Sequence, residues 1–427
     1  MSILSTFGCR QQTSESIRES VVESSLAKQP VTLPQDDVAI AALEAAGFVL
    51  VTDDAGVVTQ LSIASSESIA DAMSSLAGVP NVRQARFTGT GVDDSGMENL
   101  TQLKRIERLD FSDSAITGST LTSVGKLSTL QVLSLRRTAV TNESLAEISG
   151  LSRLRAIDLR NTNIGDVGMT HLAATGSIAD VQLEKSKVTD AGLVELASLP
   201  LKSLNFNYCT TIGMPTMKML GNVSTLEQLQ ADYSKVDDAG LAELKGLSKL
   251  RRLRVRGCDV TSEGLQHLTG NPNLSRFELR DSSIGDDALA VIASMPQVTY
   301  LDIAECRIAS ADGIAKLGSL TNLEYLGLWE TKTNDAALAE FGELTSLTEL
   351  DLKSTAVGDE SLPIILKMTK LKKLNLAGTL FTDESFAAIA KLPELQELNV
   401  ANTDIGYDLI DELIETYPNL KVVEFEN

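Results

Sequence analysis

The sequence predicts an α/β solenoid with parallel strands on a concave face and short helices on the convex face. A pattern of about 24 residues recurs through almost all of the 427-residue chain, and each copy joins a strand-like segment to a helix-like one. A fixed period of roughly 20–50 residues is typical of solenoids, in which repeats stack side by side. The first apolar residue of each strand core marks 16 copies, at Leu61, Ala85, Leu109, Leu133, Ile157, Val181, Leu204, Leu229, Leu253, Phe277, Leu301, Leu326, Leu350, Leu374, Leu398 and Val423.

The copy from 347 to 367 shows how the strand and the turn of each repeat are built. Its segment 350–352 alternates apolar and polar residues, as a strand with one buried face does. Thr355 follows, and its small hydroxyl can bond the backbone of a tight turn. Gly358 and Asp359 then supply a helix start signal.

A short helix and a proline-marked return complete the copy. The helix positions expected to face inward are spaced i, i+3 and i+4, at Leu362, Ile365 and Leu366. Proline cannot continue a helix, and six prolines stand at this junction: Pro80, Pro200, Pro272, Pro296, Pro393 and Pro418. Because helices are wider than strands, the stack should bend with the strands inside the curve.

This pattern resembles the leucine-rich repeat family over roughly residues 60–427. The family motif L-x-x-L-x-L-x-x-(N/C)-x-L appears as L-x-x-L-x-L-x-x-(T/S/C)-x-(V/I), followed by segments similar to T-D-A-G-L-x-x-L. That second half is similar to the cysteine-containing subtype of F-box proteins and of bacterial repeat proteins. The resemblance implies a right-handed horseshoe of about 16 repeats, a bacterial protein, and a non-enzymatic role in protein binding.

Three segments are expected along the chain. Residues 1–34 are rich in Ser, Gln and Glu, which favours a disordered tail or tether. Residues 35–60 predict a helix followed by a hairpin strand, as an N-terminal cap that covers the first core face. Residues 61–427 form the leucine-rich-repeat solenoid.

Composition and motif content argue against several functional classes. The net charge of −21 disfavours general nucleic-acid binding, which depends on neutralising phosphates. No stretch of about 18 apolar residues predicts a transmembrane helix. The chain has no Gly-rich phosphate loop, H-E-x-x-H, G-x-S-x-G or C-x-x-C motif. We therefore expect a monomer with no catalytic residues, cofactor or metal site.

Acidic pairs recur at the turn before the helix. Examples are Asp93-Asp94 and Asp237-Asp238. Carboxylates there accept hydrogen bonds from helix N-terminal amides and complement the helix dipole. Calcium would need several carboxylates to converge on one ion, and each turn offers two. The pairs are therefore interpreted as structural.

The four cysteines divide into two kinds. Cys209, Cys258 and Cys306 share one repeat position and lie two repeats apart, about 10 Å, beyond the ~7 Å reach of a disulfide. They are expected to be buried and reduced. Cys9 ends the segment 4–9, which is similar to a bacterial lipoprotein cleavage box, although only eight residues precede it. Lipidation of Cys9 and a chance match both stay open, and so does the choice between cell envelope and cytoplasm.

The strand surface is the part of each repeat that packing does not dictate. Five of the seven Tyr and Trp residues are expected there, namely Tyr208, Tyr233, Tyr300, Tyr325 and Trp329. Between them lie Arg252, Arg254, Arg256, Arg276 and Arg280, interleaved with Glu278, Asp281, Asp302 and Glu305. Five of the ten phenylalanines are instead expected at buried strand positions: Phe87, Phe111, Phe206, Phe277 and Phe425.

These residue types predict a protein-binding surface on the seventh to twelfth repeats. Tyr, Trp and Arg are enriched in binding hot spots, and the arginine fork suits carboxylates. The partner should therefore offer acidic and apolar groups. A plainer interpretation is that strands favour aromatics and that Arg–Asp ladders neutralise their neighbours. Two other functions stay open: an envelope lipoprotein that stacks glycan rings on Tyr325 and Trp329, and an F-box-like adaptor.

Overall fold

The strands form one open sheet that runs the length of the repeats. The computed structural model describes residues 32–425, and its sheet has 17 strands. Each strand from β2 onward pairs in parallel with the next, whereas β1 is antiparallel to β2. The strands are β1 (Val49–Thr52), β2 (Val58–Ala64), β3 (Gln84–Thr88), β4 (Arg108–Asp110), β5 (Val132–Ser134), β6 (Ala156–Asp158), β7 (Asp180–Gln182), β8 (Ser203–Asn205), β9 (Gln228–Gln230), β10 (Arg252–Arg254), β11 (Arg276–Glu278), β12 (Tyr300–Asp302), β13 (Tyr325–Gly327), β14 (Glu349–Asp351), β15 (Lys373–Asn375), β16 (Glu397–Asn399) and β17 (Lys421–Val423).

Short helices cover the other side of the sheet. The α-helices are α1 (Asp37–Ala45), α2 (Gly118–Val124), α3 (Asp166–Ala173), α4 (Asp190–Val194), α5 (Met214–Leu220), α6 (Asp238–Glu243), α7 (Ser262–Gln266), α8 (Asp286–Ala293), α9 (Ala311–Ala315), α10 (Asp335–Ala339), α11 (Leu362–Ile365), α12 (Asp383–Ile389) and α13 (Tyr407–Thr416). Segments of 3-10 helix occupy Ala70–Gly78, Met97–Gln102, Glu143–Ile148, Glu195–Ser198, Lys316–Ser319 and Asp359–Ser361. The predicted solenoid of alternating strands and short helices is confirmed.

The core lies between sheet and helices because the register keeps equivalent residues side by side. Leu253 pairs with Phe277, and Phe277 with Leu301, and all three are fully buried. Every repeat adds such residues to one continuous apolar cluster. The flanking strand residues, such as Arg252 and Arg276, then point to the opposite face, since side chains alternate along a strand. We call this face the strand surface.

Three predicted positions were wrong, all near an element's end. Leu398 pairs with Val422, so the last strand core begins at Val422 rather than Val423. Phe425 is 73 % exposed, because it lies two residues beyond the end of β17 and outside the strand's buried face. Leu366 is 38 % exposed, because α11 ends one residue before it. The other four phenylalanines are buried as predicted: Phe87, Phe111, Phe206 and Phe277.

A helix and a hairpin precede the parallel strands. Asp36 caps α1 by accepting a hydrogen bond from the Val38 amide, at 2.9 Å. The antiparallel pairing of β1 with β2 places β1 along the first edge of the sheet. The division of the chain at residues 34 and 60 stays a prediction, and Cys9 lies outside the described residues.

The two aspartates of a predicted acidic pair accept hydrogen bonds from two different repeats. Asp237 caps its own helix by accepting from the Gly240 amide at 2.8 Å, as expected. Asp238 instead reaches the next repeat, where it accepts from the Thr261 amide at 2.7 Å and the Thr261 hydroxyl at 2.6 Å. Equivalent bonds to the following repeat are made by Asp94, Asp166, Asp190, Asp286, Asp335, Asp359 and Asp383. We call these eight side chains the aspartate row.

The aspartate row also explains a glycine in the repeat motif. A Cβ atom on Gly192 would lie 2.5 Å from Asp166 Oδ1, and one on Gly264 would lie 2.4 Å from Asp238 Oδ1. Where the motif has a hydroxyl residue instead, as at Thr216, that hydroxyl donates to the aspartate of the preceding repeat, at 2.6 Å. At Gly192, Gly264 and Thr216 the position therefore faces a carboxylate of the preceding repeat, which a glycine or a hydroxyl donor accommodates.

Cys209, Cys258 and Cys306 are buried and free, as predicted. Burial raises the pKa of Cys306 to about 12, so the thiol stays protonated near neutral pH. Its Sγ donates to the carbonyl of Leu279 in the preceding repeat, at 3.2 Å. At the same repeat position Thr355 donates to Leu352 of its own repeat, at 2.5 Å, as the sequence predicts.

Neither a membrane-spanning helix nor a metal cluster is present between residues 32 and 425. No helix in this range is long and apolar enough to cross a bilayer. No three side chains of Asp, Glu, His or Cys in the range converge as a metal site requires.

Candidate functional site

The ten predicted binding residues gather on the strand surface in two rows that cross the strands. The strand-side row lies at the strands themselves and contains Arg252, Arg254, Arg276, Glu278, Tyr300 and Tyr325, and it includes Asp232, two residues beyond β9, as the partner of Arg254. The turn-side row lies where the chain leaves the strands and contains Lys185, Tyr208, Tyr233, Arg256, Arg280, Trp329 and Lys353, with Asp281 and Glu305.

Glu278 organises the strand-side row. Arg252 donates to both of its oxygens, from Nε at 2.8 Å and from Nη2 at 3.2 Å. Arg276 donates to the same carboxylate from Nε at 2.6 Å. Burial by itself would raise the pKa of Glu278, but these hydrogen bonds lower it below its usual value. One buried carboxylate thus holds two arginines in place.

Arg254 is paired differently, with a carboxylate in the interior. Its Nε donates to Asp232 at 2.7 Å, and the Asp232 side chain is fully buried. Asp232 also accepts from the Arg256 amide at 3.1 Å. Because Asp232 is buried, this pair fixes the position of the Arg254 guanidinium, and part of its hydrogen-bonding capacity is already used inside the protein.

Tyr300 and Tyr325 extend the strand-side row. Register pairs them on β12 and β13, and their rings stack with centroids 4.0 Å apart. The Arg276 guanidinium lies over the other side of this stack, 3.7 Å from the Tyr300 centroid. Burial raises the pKa of both phenols. Beyond Tyr325 the surface opens into a shallow groove of about 200 Å³ that includes Glu349.

Tyr208 and Tyr233 belong to the turn-side row and lie three residues beyond the ends of β8 and β9. They occupy the turn after the strand in the left-handed region, with φ of 61° and 50°. Their rings stack at 5.0 Å. The Tyr233 ring crosses Gly257, where a Cβ atom would lie 2.3 Å from it, and its hydroxyl donates to Asp281 at 3.0 Å. A glycine in the intervening repeat therefore lets one side chain span two repeats.

Glu305 and Trp329 connect the rest of the turn-side row. Glu305 accepts from Arg280 and lies 3.9 Å from Arg256, and the Arg280 bond lowers the pKa of Glu305. Arg280 lies over the Trp329 ring at 4.1 Å, and Lys353 lies over it at 5.0 Å. Since Arg280 comes from an earlier repeat and Lys353 from the next, cations flank the indole from both directions along the solenoid.

Two nitrogens in the turn-side row are buried without an acceptor. Within the described range 32–425, the side-chain atoms in this state are Arg256 Nε and Trp329 Nε1. A buried donor without an acceptor costs about 1–3 kcal/mol, so such atoms are rare in folded proteins. Both lie among the ten residues that the sequence singles out.

The rows are locally cationic on a strongly acidic protein. They hold seven cations against four carboxylates, with Asp302 between them, whereas the whole chain carries −21. Burial raises the pKa of Asp302 above its usual value. The surface can therefore attract negative groups even though most of its arginines already have internal partners.

The sequence interpretation missed Asp232, Lys185 and Lys353. Asp232 stands at the repeat position of Arg256 and Arg280, so an alignment of the copies could have placed it on this surface. Such an alignment does not show that the Tyr233 side chain spans two repeats. That contact depends on a backbone shape that lets the ring pass over Gly257.

A family model described as leucine-rich repeat region matches residues 87–336, more than half of the chain. A second model, described as leucine-rich repeat, matches residues 343–362. No curated protein matches the sequence.

Solved structures show the same fold. A leucine-rich-repeat protein of Leptospira interrogans is 18% identical with a TM-score of 0.58, covering 92% of this chain and 100% of its own. A TDR receptor is 15% identical with a TM-score of 0.52, covering 85% of this chain and 67% of its own. An internalin of Listeria monocytogenes is 17% identical with a TM-score of 0.47, covering 94% and 100%.

Proposed function

The chain belongs to the leucine-rich repeat family, and on that premise we propose that it is a non-enzymatic scaffold that binds a protein partner on the strand surface of β8–β14. Proteins of this family typically act as interaction and receptor-binding scaffolds. The fold supplies the class of activity, and the residues of the two rows supply the site.

The observation that carries the proposal is the concentration of aromatic and arginine side chains in consecutive repeats, together with two buried donors that lack acceptors. Tyr, Trp and Arg dominate binding hot spots because they combine large contact area with hydrogen bonding. A structural ladder would satisfy its own donors, as the aspartate row does. The Trp329 indole and the Arg256 guanidinium do not follow that rule.

The geometry favours a protein partner over a glycan. Sugar rings stack on an open aromatic face, but cations flank Trp329 from both directions. Tyr300 is likewise enclosed between Arg276 and Tyr325. Flanking guanidinium and ammonium groups suit carboxylates and carbonyl oxygens, which polypeptides supply.

The test is capture of partners from a lysate of the source organism on the immobilised full-length chain. Trp329→Ala should reduce the captured partner by about 30-fold, the size of a hot-spot loss. Tyr407→Ala is a matched aromatic control, because Tyr407 is 74 % exposed on α13, outside both rows. Unchanged capture by Trp329→Ala, or an equal loss with Tyr407→Ala, contradicts the assigned surface.

An arginine variant must avoid the buried pair. Arg254→Glu would place a second carboxylate against buried Asp232 and would destabilise the fold. Arg276→Gln is better suited, because Arg276 is the most exposed of the five and Glu278 keeps Arg252 as a partner. It should weaken capture while thermal unfolding stays close to wild type. Arg251→Gln, which pairs with Glu227 outside the rows, is the control.

A further inference from the structure

We propose that the strand surface holds an extended acidic segment of the partner, running across the strands with two acceptor side chains four residues apart. The inference rests on the proposed function and names the chemistry that this function requires. One acceptor would bond Arg256 Nε, and the other would bond Trp329 Nε1.

The two unpaired nitrogens define the ends of the subsite. Arg256 follows β10 and Trp329 follows β13, so three strand intervals separate them. At about 4.8 Å for each interval, the separation is about 14 Å. A single carboxylate cannot span this distance, so the two donors need two acceptors.

An extended segment matches that separation in length and in direction. Extended chain advances about 3.4 Å for each residue, so about 14 Å corresponds to four residues. Side chains alternate along an extended chain, and residues four apart therefore point to the same side. Both acceptors of such a segment can face the turn-side row together.

The charge between the two ends favours carboxylates as the acceptors. Arg280 and Lys353 flank the indole, and Arg256 lies 5.7 Å from the Tyr233 ring. Hydrogen bonds between a charged donor and a carboxylate are roughly twice as strong as neutral ones. Glu305 already occupies the space between Arg256 and Arg280, so the incoming acceptors belong at the outer ends of this group.

The cover over the donors can move. Arg280 is 25% exposed, and Lys353 is partly exposed on the same surface. Arg280 is bonded to Glu305, so its rotation must exchange that bond for one to the incoming segment. An oxygen that approaches Nε1 in the plane of the indole forms a new bond, which relieves the cost of a buried donor without an acceptor.

The chain offers a direct probe, because Trp329 is its single tryptophan. Synthetic peptides of Gly and Ser, free of aromatic residues, would carry two Glu residues four apart, two Glu residues three apart, or two Gln residues four apart. Each would be titrated into the full-length protein while the Trp329 emission is recorded. The peptide with Glu residues four apart should shift the emission and should bind about tenfold more tightly than either of the others.

Two variants locate the binding groups. Arg256→Lys keeps the charge but removes Nε. It should lower the affinity for the peptide with Glu residues four apart about tenfold and leave the affinity for the peptide with Glu residues three apart unchanged. Arg251→Lys, outside the rows, should change neither. Trp329→Phe should weaken the same peptide as Arg256→Lys does, measured by anisotropy of a labelled peptide.

The outcomes separate this inference from the proposed function. Three outcomes overturn the proposed acidic segment: equal affinity for all peptides, no response to any peptide, or equal effects of Arg256→Lys and Arg251→Lys. In each case the two nitrogens are bonded by water and not by the partner. If partner capture still depends on Trp329 in that case, the proposed function stands without the inference. If capture is also insensitive to Trp329→Ala, both fail.

Discussion

The aspartate row and the turn-side row both carry polar side chains from repeat to repeat, but they differ in regularity and in completeness. Asp238 and its equivalents each accept from the next repeat's backbone, and some accept from a hydroxyl as well. The turn-side row instead mixes aromatics, cations and carboxylates, and it leaves Arg256 Nε and Trp329 Nε1 without acceptors. Contacts that recur from repeat to repeat and leave no donor unpaired hold the repeats together. Contacts that are irregular and leave donors unpaired indicate a surface with a role other than packing the repeats.

The strand-side row shares features with both the aspartate row and the turn-side row. Its arginines are irregular in the repeat pattern, yet Arg254 is held by fully buried Asp232. Substitutions can therefore separate residues that hold the scaffold from residues that are available to a partner. Three of them sharpen the comparison, in order of the expected size of effect.

The largest effect is expected for Asp232→Ala. Removing this carboxylate leaves the Arg254 guanidinium half-buried without its closest partner, so we expect a loss of about 3 kcal/mol in the free energy of unfolding. Urea denaturation followed by circular dichroism measures it. Asp281→Asn is the control, because Asp281 holds the Tyr233 hydroxyl at the surface and has a φ of 56°, which asparagine also adopts, so this substitution should cost less than about 1 kcal/mol. Equal losses would place both aspartates in the same role.

A smaller effect is expected where the aspartate row meets the repeat glycine. Gly192→Ala puts a methyl group 2.5 Å from Asp166 Oδ1 and 2.8 Å from its Cα, and should destabilise the protein by about 2 kcal/mol. Gly150→Ala is the matched control, because nothing lies within 4 Å of its Cβ position. It should change stability by less than about 1 kcal/mol. If Gly192→Ala leaves the free energy of unfolding unchanged, the aspartate row can move to accommodate the added methyl group.

The smallest effect is expected for Asp359→Asn, and it should depend on pH. Hydrogen bonds from Ser385 and Thr382 lower the pKa of Asp359 below 3.8, so its stabilisation is complete above that pH and is lost as the pH falls through the lowered pKa. Because Asp359 is exposed, the variant should lose less than about 1 kcal/mol at neutral pH.

The gap between wild type and Asp359→Asn should then close on acidification. Thermal unfolding at neutral pH and below pH 3 measures both ends of the curve. Asp71→Asn, at an exposed position of a 3-10 helix, should show no gap at either pH. A gap for Asp359→Asn that widens in acid would mean that the carboxylate is not what stabilises this junction.

The sequence predicted the repeat boundaries and the crowding of the strand surface because both follow from periodicity. A leucine every repeat must be buried, so the residues beside it must face outward, and the identities there could be collected directly. This reasoning was wrong at Val423, Leu366 and Phe425, which lie at or just beyond the end of a strand or helix. Periodic inference assumes that the element continues with the same geometry, and that condition is missing at the end of an element.

The sequence by itself determined the solenoid, the buried cysteines and the set of ten candidate residues. Only the tertiary structure decided which of them have hydrogen-bond partners within the protein. It paired Arg254 with Asp232, carried Tyr233 across Gly257 to Asp281, and left Arg256 Nε and Trp329 Nε1 without acceptors. The physical reason is that hydrogen bonding depends on distance and direction between side chains from different repeats. Spacing along the chain records which repeat a residue belongs to, but not which way its side chain turns.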